Sequence, residues 1–263
     1  MQAVLASPGD DAPRRNFSDW CDKYGDPKRG EFIRQQLQVA DCKRARAHID
    51  DWVGPDGNAR DLIREHGKAW QTPLDSLIAR RVVQHCEHRR GFVEMVTMTA
   101  DDFIASGAEV CARTPLRALI VDGAKGVIGR FSACEHLNQL VALFLTDNRL
   151  DDDDIGQLAA SPHLSHLAYL DLTRNKVGQG GIDAIAMASK RLPRLSYVGL
   201  TKNAVATPMD EVGAEDFRVV ATGKTTAGVQ LEAAHGPQRW LHAPSAFAHH
   251  WPVDWETVDL LTP

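Results

Sequence analysis

Near its middle the chain carries the pattern Leu140-x-x-Leu143-x-Leu145-x-x-Asn148-x-Leu150. Two further copies start at Leu167 and Leu195, so the starting leucines are 27 and then 28 residues apart. Leucines at positions 1, 4 and 6 predict a short strand with one buried side. The Asn that follows can bond the backbone where it leaves the strand, because an amide side chain both donates and accepts hydrogen bonds. Three copies in register predict a repeating unit of structure.

A helix is expected between successive strands. Apolar residues recur at helical spacing after the first two strands, at Ile155, Leu158 and Ala159 and again at Ile182, Ile185 and Ala186. Each unit is therefore predicted to be a strand, a turn and a helix, and strands connected in this way form a parallel sheet. Two weaker copies lie upstream, starting at Leu116 with Ala124 in the Asn position and at Val93 with Asp101 there. Their shorter spacing predicts abbreviated helices, as at one end of a repeat array.

These units resemble leucine-rich repeats of the ribonuclease-inhibitor-like subclass. Gly156 and the pair Gly180-Gly181 fit the glycine-bearing turn of that subclass. The resemblance implies an α/β solenoid with a parallel sheet inside and helices outside. About five units would occupy residues 91–207, with the first two degenerate.

The first 45 residues carry a second pattern. Its parts are, in order, Asp11-Ala12-Pro13-Arg14, Asp19-Trp20, Gly25-Asp26-Pro27 and Arg29-Gly30-Glu31-Phe32-Ile33-Arg34. This order resembles the bacterial repeat-companion domain, a short helical unit often found in front of leucine-rich repeats. Cys21 departs from that family, which usually has Leu at this point. The resemblance implies a helical N-terminal cap, to which we assign residues 1–90, and implies no catalytic activity.

Helices are expected throughout this cap. An Asp of the pair Asp10-Asp11 is placed as one N-cap, Asp26 as another, and Gly25 as a helix end. The core of the helical hairpin is interpreted as Trp20, Phe32 and Ile33. The sequence Gly54-Pro55-Asp56-Gly57 predicts a turn, and the helical segment from residue 56 to residue 88 is expected to seal the apolar end of the first repeat.

The composition changes after Val205, which predicts a C-terminal cap over residues 208–263. Two segments look like strands, Phe217-Arg218-Val219-Val220 and Val229-Gln230-Leu231-Glu232. Trp240, Trp251 and Trp255 follow in a tail punctuated by prolines. We expect a β-rich unit folded back on the last repeat. The alternative is an exposed aromatic surface for a partner.

Composition argues against several classes of protein. The formal net charge of −5 and the pI of about 6.1 favour neither nucleic acid nor an anionic membrane as a partner. No apolar run approaches the ~20 residues that span a bilayer, and the first eight residues lack the features of a signal peptide. Five widely spaced cysteines without a Cys-x-x-Cys pair predict reduced thiols in a cytoplasm.

Three patterns that could carry chemistry are interpreted as structural. Residues 151–154 are four aspartates without the spacing of a calcium-binding loop, and they are placed at the start of a helix. Gly223-Lys224-Thr225 lacks the earlier glycine of a phosphate-binding loop, because position 218 is Arg. The spacing of a helical metal site is missing from the tail histidines, His235, His242, His249 and His250. We therefore expect no catalytic residue, no metal ligand and no cofactor.

The positive indication of function is the surface predicted for the repeats. Positions 3, 5 and 7 of each strand point away from the core and would form the concave face that solenoids offer to partners. A contiguous apolar and aromatic patch on such a face is typical of an interface. The candidate partner-binding residues are Met95, Ile120, Phe144, Tyr169, Asp171 and Tyr197, and the structural Asn turns are Asn148, Asn175 and Asn203. The alternative is that the C-terminal tail covers this face.

These features predict a non-enzymatic module, monomeric when free, that binds a protein partner. An alternative with the same physical basis is an inhibitor or immunity protein that blocks an enzyme or a toxin. A third interpretation places a metal- or ligand-dependent activity in the histidines and tryptophans of the C-terminal tail.

Overall fold

The structure is a computed structural model that describes residues 1–45, 47–48, 50–204, 226–242, 255–256 and 258. The fold is α/β, with six strands in a mostly parallel sheet. No helix among these residues is both long and apolar enough to cross a membrane. The chain divides into two compact units: unit 1 is Met1–Thr97 with Ser106–Arg117, and unit 2 is Met98–Ala105 with Ala118–Pro263. The domain boundaries predicted near residues 90 and 207 are based on sequence pattern, whereas these two units are based on compactness. The predicted boundaries therefore stay predictions.

Unit 1 is mainly helical. Its helices are α1 (Gln2–Ala6), α2 (Ala12–Tyr24), α3 (Pro27–Arg44), α4 (Asp50–Trp70) and α5 (Asp75–Ala79), with a 3-10 turn at Thr72–Leu74. The strands β1 (His85–Arg89) and β2 (Phe92–Thr99) pair antiparallel. Helix α6 (Ala100–Arg113) follows β2, and only its residues from Ser106 onward belong to unit 1.

The helix boundaries of unit 1 follow capping chemistry. The Asp26 carboxylate accepts hydrogen bonds from Lys28 N at 3.1 Å and Arg29 N at 3.2 Å, so the N-cap predicted for α3 is confirmed. Gly25 ends α2, as predicted. Asp11 also stands directly before α2, but its side chain makes no capping hydrogen bond.

Two of the helical predictions are wrong. Helix α4 runs through residues 54–57 without a turn, although Pro55 lies inside it and cannot donate a backbone hydrogen bond. The prediction that the chain is helical up to residue 88 is also wrong. Residues 85–89 form β1 instead, because pairing with β2 satisfies their backbone groups.

The orientation of α2 is set by the buried positive charge of Arg14. Arg14 is fully buried, and its guanidinium lies 2.5 Å from the buried carboxylate of Glu94. The hairpin core predicted from sequence is consequently wrong at Trp20, which is 51% exposed, while Phe32 and Ile33 are fully buried. A buried guanidinium needs a counter-charge, and that requirement outweighs the burial of one Trp ring.

Strands and helices alternate in unit 2. They are β3 (Ala118–Asp122), α7 (Ile128–Ser132), β4 (Ala142–Phe144), α8 (Asp152–Ala159), β5 (Tyr169–Asp171), α9 (Gln179–Met187) and β6 (Tyr197–Gly199), with a 3-10 turn at Glu135–Gln139. The strands β3 to β6 pair in parallel in sequence order. The predicted alternation of strand and helix and the parallel sheet are therefore confirmed.

The apolar positions of the repeats form the core of unit 2. The repeat residues buried in the strands or next to them are Leu140, Leu143, Leu145, Leu167, Leu170, Leu172, Leu195, Val198 and Leu200. The helices contribute Ile155, Leu158, Ile182 and Ile185. Burying one such side chain stabilises a fold by ~1.5–3 kcal/mol. The burial of these residues therefore fixes which face of the sheet points toward the core and which points away from it.

The Asn residues of the repeats bond neighbouring turns in a ladder. Asn175 Oδ1 accepts hydrogen bonds from Asn148 N at 3.1 Å and Leu150 N at 3.0 Å. Asn175 Nδ2 donates to Leu145 O at 2.8 Å. The side chains of Asn148 and Asn203 form corresponding bonds with the turn before each of them. This is the bonding that the sequence pattern predicts.

Asn175→Ala is expected to lower the free energy of unfolding by ~1–3 kcal/mol, because buried backbone groups on two turns lose their partner. Chemical denaturation measures the change. The control is Asn138→Ala, whose side chain is exposed, and its denaturation midpoint should stay close to that of the wild type. Equal midpoints for both variants would count against a stabilising ladder.

The aspartates of residues 151–154 form a helix start. Asp154 N donates to Asp151 Oδ1 at 3.3 Å, and Asp151 N donates to Asp154 Oδ2 at 3.0 Å, which is a reciprocal capping arrangement. Lys125 Nζ lies 2.5 Å from a carboxylate oxygen of each. The Lys125 ammonium lowers the pKa of Asp151 to about 2. The predicted N-terminal turn of α8 is confirmed.

The described C-terminal part is helical, with α10 (Thr226–His235) and α11 (Arg239–His242). The strand predicted at residues 229–232 is wrong, because these residues lie within α10. Leu231 is buried and Val229 is exposed, and the helix-forming residues Leu231 to Ala234 outweigh Gly228. The strand predicted at residues 217–220 lies outside the described residues, as does Trp251.

Candidate functional site

The sheet face that carries positions 3 and 5 of the repeats in unit 2 is called here the tyrosine face. The strand register arranges it in two rows. The first row is Ala118, Ala142, Tyr169 and Tyr197, and the second row is Ile120, Phe144, Asp171 and Gly199. Neighbouring strands lie ~4.8 Å apart, so side chains within a row contact one another.

The two tyrosines of the first row are stacked and buried. Their ring centroids are 4.3 Å apart, with 11° between the ring planes. Tyr169 is 6% exposed and Tyr197 is 4% exposed, so the prediction that these rings lie on an open face is wrong. One physical reason is the register, because two rings at the same height on adjacent strands cover each other's faces. The alternative that the C-terminal tail covers this face falls largely on residues 208–225 and 243–254, which lie outside the described residues.

The second row is the part of the tyrosine face that water reaches. Ile120, Phe144 and Asp171 are each half-buried, and Gly199 is buried. Asp171 Oδ1 accepts a hydrogen bond from Thr173 N at 2.9 Å. A Cβ at Gly199 would lie 2.8 Å from Asp171 Oδ1, so the glycine leaves the carboxylate its place. An aliphatic side chain, an aromatic ring and a carboxylate therefore stand side by side.

Met95 lies in unit 1 and does not belong to the tyrosine face. It is buried in β2, where it pairs with Glu87 of β1. The prediction of Met95 as an exposed contact residue is therefore wrong. Strand β2 forms an antiparallel hairpin with β1. The sequence pattern assigned the segment before β2 to a helix, so it did not indicate this hairpin.

A cluster of buried charges lies in unit 1. Glu94 is fully buried, and its carboxylate lies 2.5 Å from the Arg14 guanidinium and 3.0 Å from that of Arg90. Arg90 also pairs with Asp11 at 3.0 Å. Sequence reasoning missed this cluster. The signal was Glu94 itself, a single carboxylate within the apolar strand β2.

The buried charge cluster holds backbone as well as side chains. Arg14 donates to Pro8 O at 2.7 Å, and Arg90 donates to Gly9 O at 3.2 Å. Burial lowers the pKa of Arg14 to about 10, and the nearby Glu94 carboxylate opposes that shift. These donors are directed at the chain's own carbonyl and carboxylate groups, so the cluster fastens the segment between α1 and α2 to β2.

Metal and nucleophile chemistry find little support in the described part of the chain. No group of three or more His, Cys, Asp or Glu side chains is placed to hold a metal ion among the residues that the structure describes. His235 Nε2 lies 3.3 Å from Asp183 Oδ1, while His249 and His250 lie outside the described residues. Burial raises the pKa of the Cys111 thiol to about 12, which disfavours a thiolate there.

The tyrosine face and the buried charge cluster differ in what they can offer a partner. The charges of the cluster are paired inside unit 1, whereas Phe144 and Asp171 are partly accessible. A comparison of the chain with protein-family models, curated proteins and solved structures finds no match.

Proposed function

We propose that unit 2 is a leucine-rich-repeat solenoid of the ribonuclease-inhibitor-like subclass and that the chain is a non-enzymatic protein-binding module. In this proposal the helices of residues 1–90 are the companion region, and the partner binds the second row of the tyrosine face. The proposed location is the cytoplasm, where the five cysteines, which are free, would stay reduced.

Phe144 carries the proposal. Its ring is half-buried, and its centroid lies 5.1 Å from that of the buried Tyr169 ring. Tyr169 in turn stacks on Tyr197. A partly exposed ring that rests on a buried aromatic stack is held in one place before binding. Little side-chain freedom is then lost when a partner covers it, which favours affinity.

Asp171 supports a partner of defined chemistry. In the described part of the chain its one side-chain hydrogen bond is the bond to Thr173 N, so the carboxylate keeps capacity for a further donor. Phe144 stands next to it in the row. A Lys or Arg side chain of a partner could pair with the carboxylate while its stem or its charge contacts the ring. The proposed partner surface is therefore apolar with a basic residue.

Phe144→Ala is expected to weaken partner binding about thirtyfold, the effect of losing ~2 kcal/mol at a binding hot spot. The full-length chain first recovers its partner from the native cytoplasm, and titration calorimetry then compares the variants. Asp171→Asn should weaken binding about tenfold, because the amide oxygen can still accept from Thr173 N while the charge is lost.

The matched control is Met187→Ala. Met187 is a large apolar residue on α9 and is 71% exposed, so its removal should leave binding unchanged. Tyr169 and Tyr197 are unsuitable as binding probes, since truncating buried rings lowers stability by itself. The proposal fails if the folded Phe144→Ala variant binds the partner as tightly as the wild type and Met187→Ala do.

A further inference from the structure

A cleft of about 180 Å³ lies in unit 2 between helix α9 and residues 237–240. Its lining is polar and apolar in about equal parts, and the apolar part contains the buried side chains Ile185, Leu192, Leu195 and Trp240. An apolar cavity of ~150 Å³ accommodates a benzene molecule. The cleft therefore has the size of a single aromatic ring with a small substituent.

Hydrogen bonds hold the wall of the cleft in position. Gln238 Nε2 donates to Ala186 O of α9 at 3.3 Å, and Gln238 Oε1 accepts from Trp240 Nε1 at 3.2 Å. Gln238 N donates to Glu232 Oε1 of α10 at 2.8 Å. Because Gln238 connects both helices with Trp240, the cleft exists before a ligand enters. A preformed site loses little free energy to ordering when it binds.

Arg239 is the charged residue in the lining of the cleft. It is exposed, and no carboxylate of the described residues pairs with it. Lys190 and Arg191, which are both exposed, lie in the sequence between the lining residues Ser189 and Leu192. Neither segment contains an Asp or Glu, from residue 184 to residue 204 or from residue 236 to residue 242. A cleft that presents apolar side chains beside an arginine favours a ligand with an apolar body and a negative charge.

We propose that this cleft binds a small aromatic carboxylate, with the ring against Leu192 and Trp240 and the carboxylate at Arg239. Trp240 favours an aromatic ring because rings pack well against an indole. The Arg239 guanidinium favours a carboxylate because the two planar groups can form paired hydrogen bonds. This site is separate from the second row of the tyrosine face and does not rest on the proposed protein-binding function.

Benzoate is the probe for this ligand class. Titration calorimetry on the full-length chain should show saturable binding with a Kd on the order of 1 mM, as expected for so small a ligand. Benzyl alcohol, which has the ring without the charge, should bind about fivefold more weakly. Acetate, which has the charge without the ring, should show no saturable binding. Raised salt should weaken benzoate binding and leave benzyl alcohol unaffected.

Two variants locate the site. Arg239→Gln should weaken benzoate about fivefold and leave benzyl alcohol unchanged, since only the charge is removed. Ser189→Leu places a larger side chain in the cleft and should abolish binding of both compounds. The control Arg130→Gln removes an exposed arginine elsewhere in unit 2 and should bind benzoate as the wild type does.

The proposal is overturned if benzoate shows no saturable binding to the wild type. It is equally overturned if Arg239→Gln and Arg130→Gln bind benzoate alike. Circular dichroism checks that Ser189→Leu is folded, and if it is not, the comparison of the two arginine variants decides, because both replace exposed side chains.

Discussion

Replacing Glu94 with Gln is expected to lower the free energy of unfolding by ~3–5 kcal/mol, the range found when one partner of a buried ion pair is removed. Glu94 is fully buried, and it is the carboxylate nearest to Arg14 at 2.5 Å. Gln keeps the shape of the side chain but leaves the buried guanidinium groups of Arg14 and Arg90 with less counter-charge. Urea denaturation at neutral pH measures the loss.

The control for this variant is Glu87→Gln on the adjacent strand. Glu87 pairs with Arg89 at 3.0 Å, but its side chain is 35% exposed, so its loss should cost ~1 kcal/mol or less. Adding Arg14→Met to Glu94→Gln should recover part of the lost stability, because an uncompensated buried charge is removed. Equal losses for the Glu94 and Glu87 variants would show that the buried pair is not the cause.

Lowering the pH from 7 to 4 is expected to destabilise the fold by ~3 kcal/mol through His88 alone. Burial, followed by the charges of Arg29 and Arg89, lowers the pKa of His88 from 6.5 to about 4. A shift of one unit corresponds to ~1.36 kcal/mol. The His88 imidazole is protonated near pH 6.5 in the unfolded chain and only near pH 4 in the folded chain. The contribution is therefore intact above pH 6.5, falls between these values and is lost below pH 4.

His88→Gln should flatten the pH dependence of the denaturation midpoint between pH 7 and 4 relative to the wild type. His88 is 8% exposed, and no residue in the described ranges forms a hydrogen bond with its Nε2 atom. His85→Gln is the matched control, because its side chain is on the same strand but 64% exposed. That variant should follow the wild-type curve. Parallel curves for all three proteins would contradict the assignment to His88.

The local pattern of the repeats was sufficient to predict the parallel part of the sheet. Each strand and turn depends on a few consecutive residues, such as Leu167, Leu170 and Asn175. Apolar residues at strand spacing must face a core, and an Asn at a turn can satisfy backbone groups that no strand partner reaches. The ladder formed by Asn148, Asn175 and Asn203 follows from this short-range chemistry.

Other features depend on residues that are distant in the sequence. Arg14 turns one side of α2 inward only because Glu94 lies beneath it, and Trp20 stays exposed as a result. Residues 229–232 have a composition compatible with either a strand or a helix. They form a helix that packs on α9, and such packing is absent from any local pattern.

The candidate site also depends partly on local sequence pattern and partly on tertiary packing. The alternation of side chains along a strand placed Phe144 and Asp171 on the sheet face, as the sequence indicated. The burial of Tyr169 and Tyr197 depends on the register between strands, which sets two rings at the same height. The cleft beside Trp240 needs α9 and residues 237–240 to meet in space. Periodicity determines which face a side chain takes, whereas tertiary packing determines what else lies on that face.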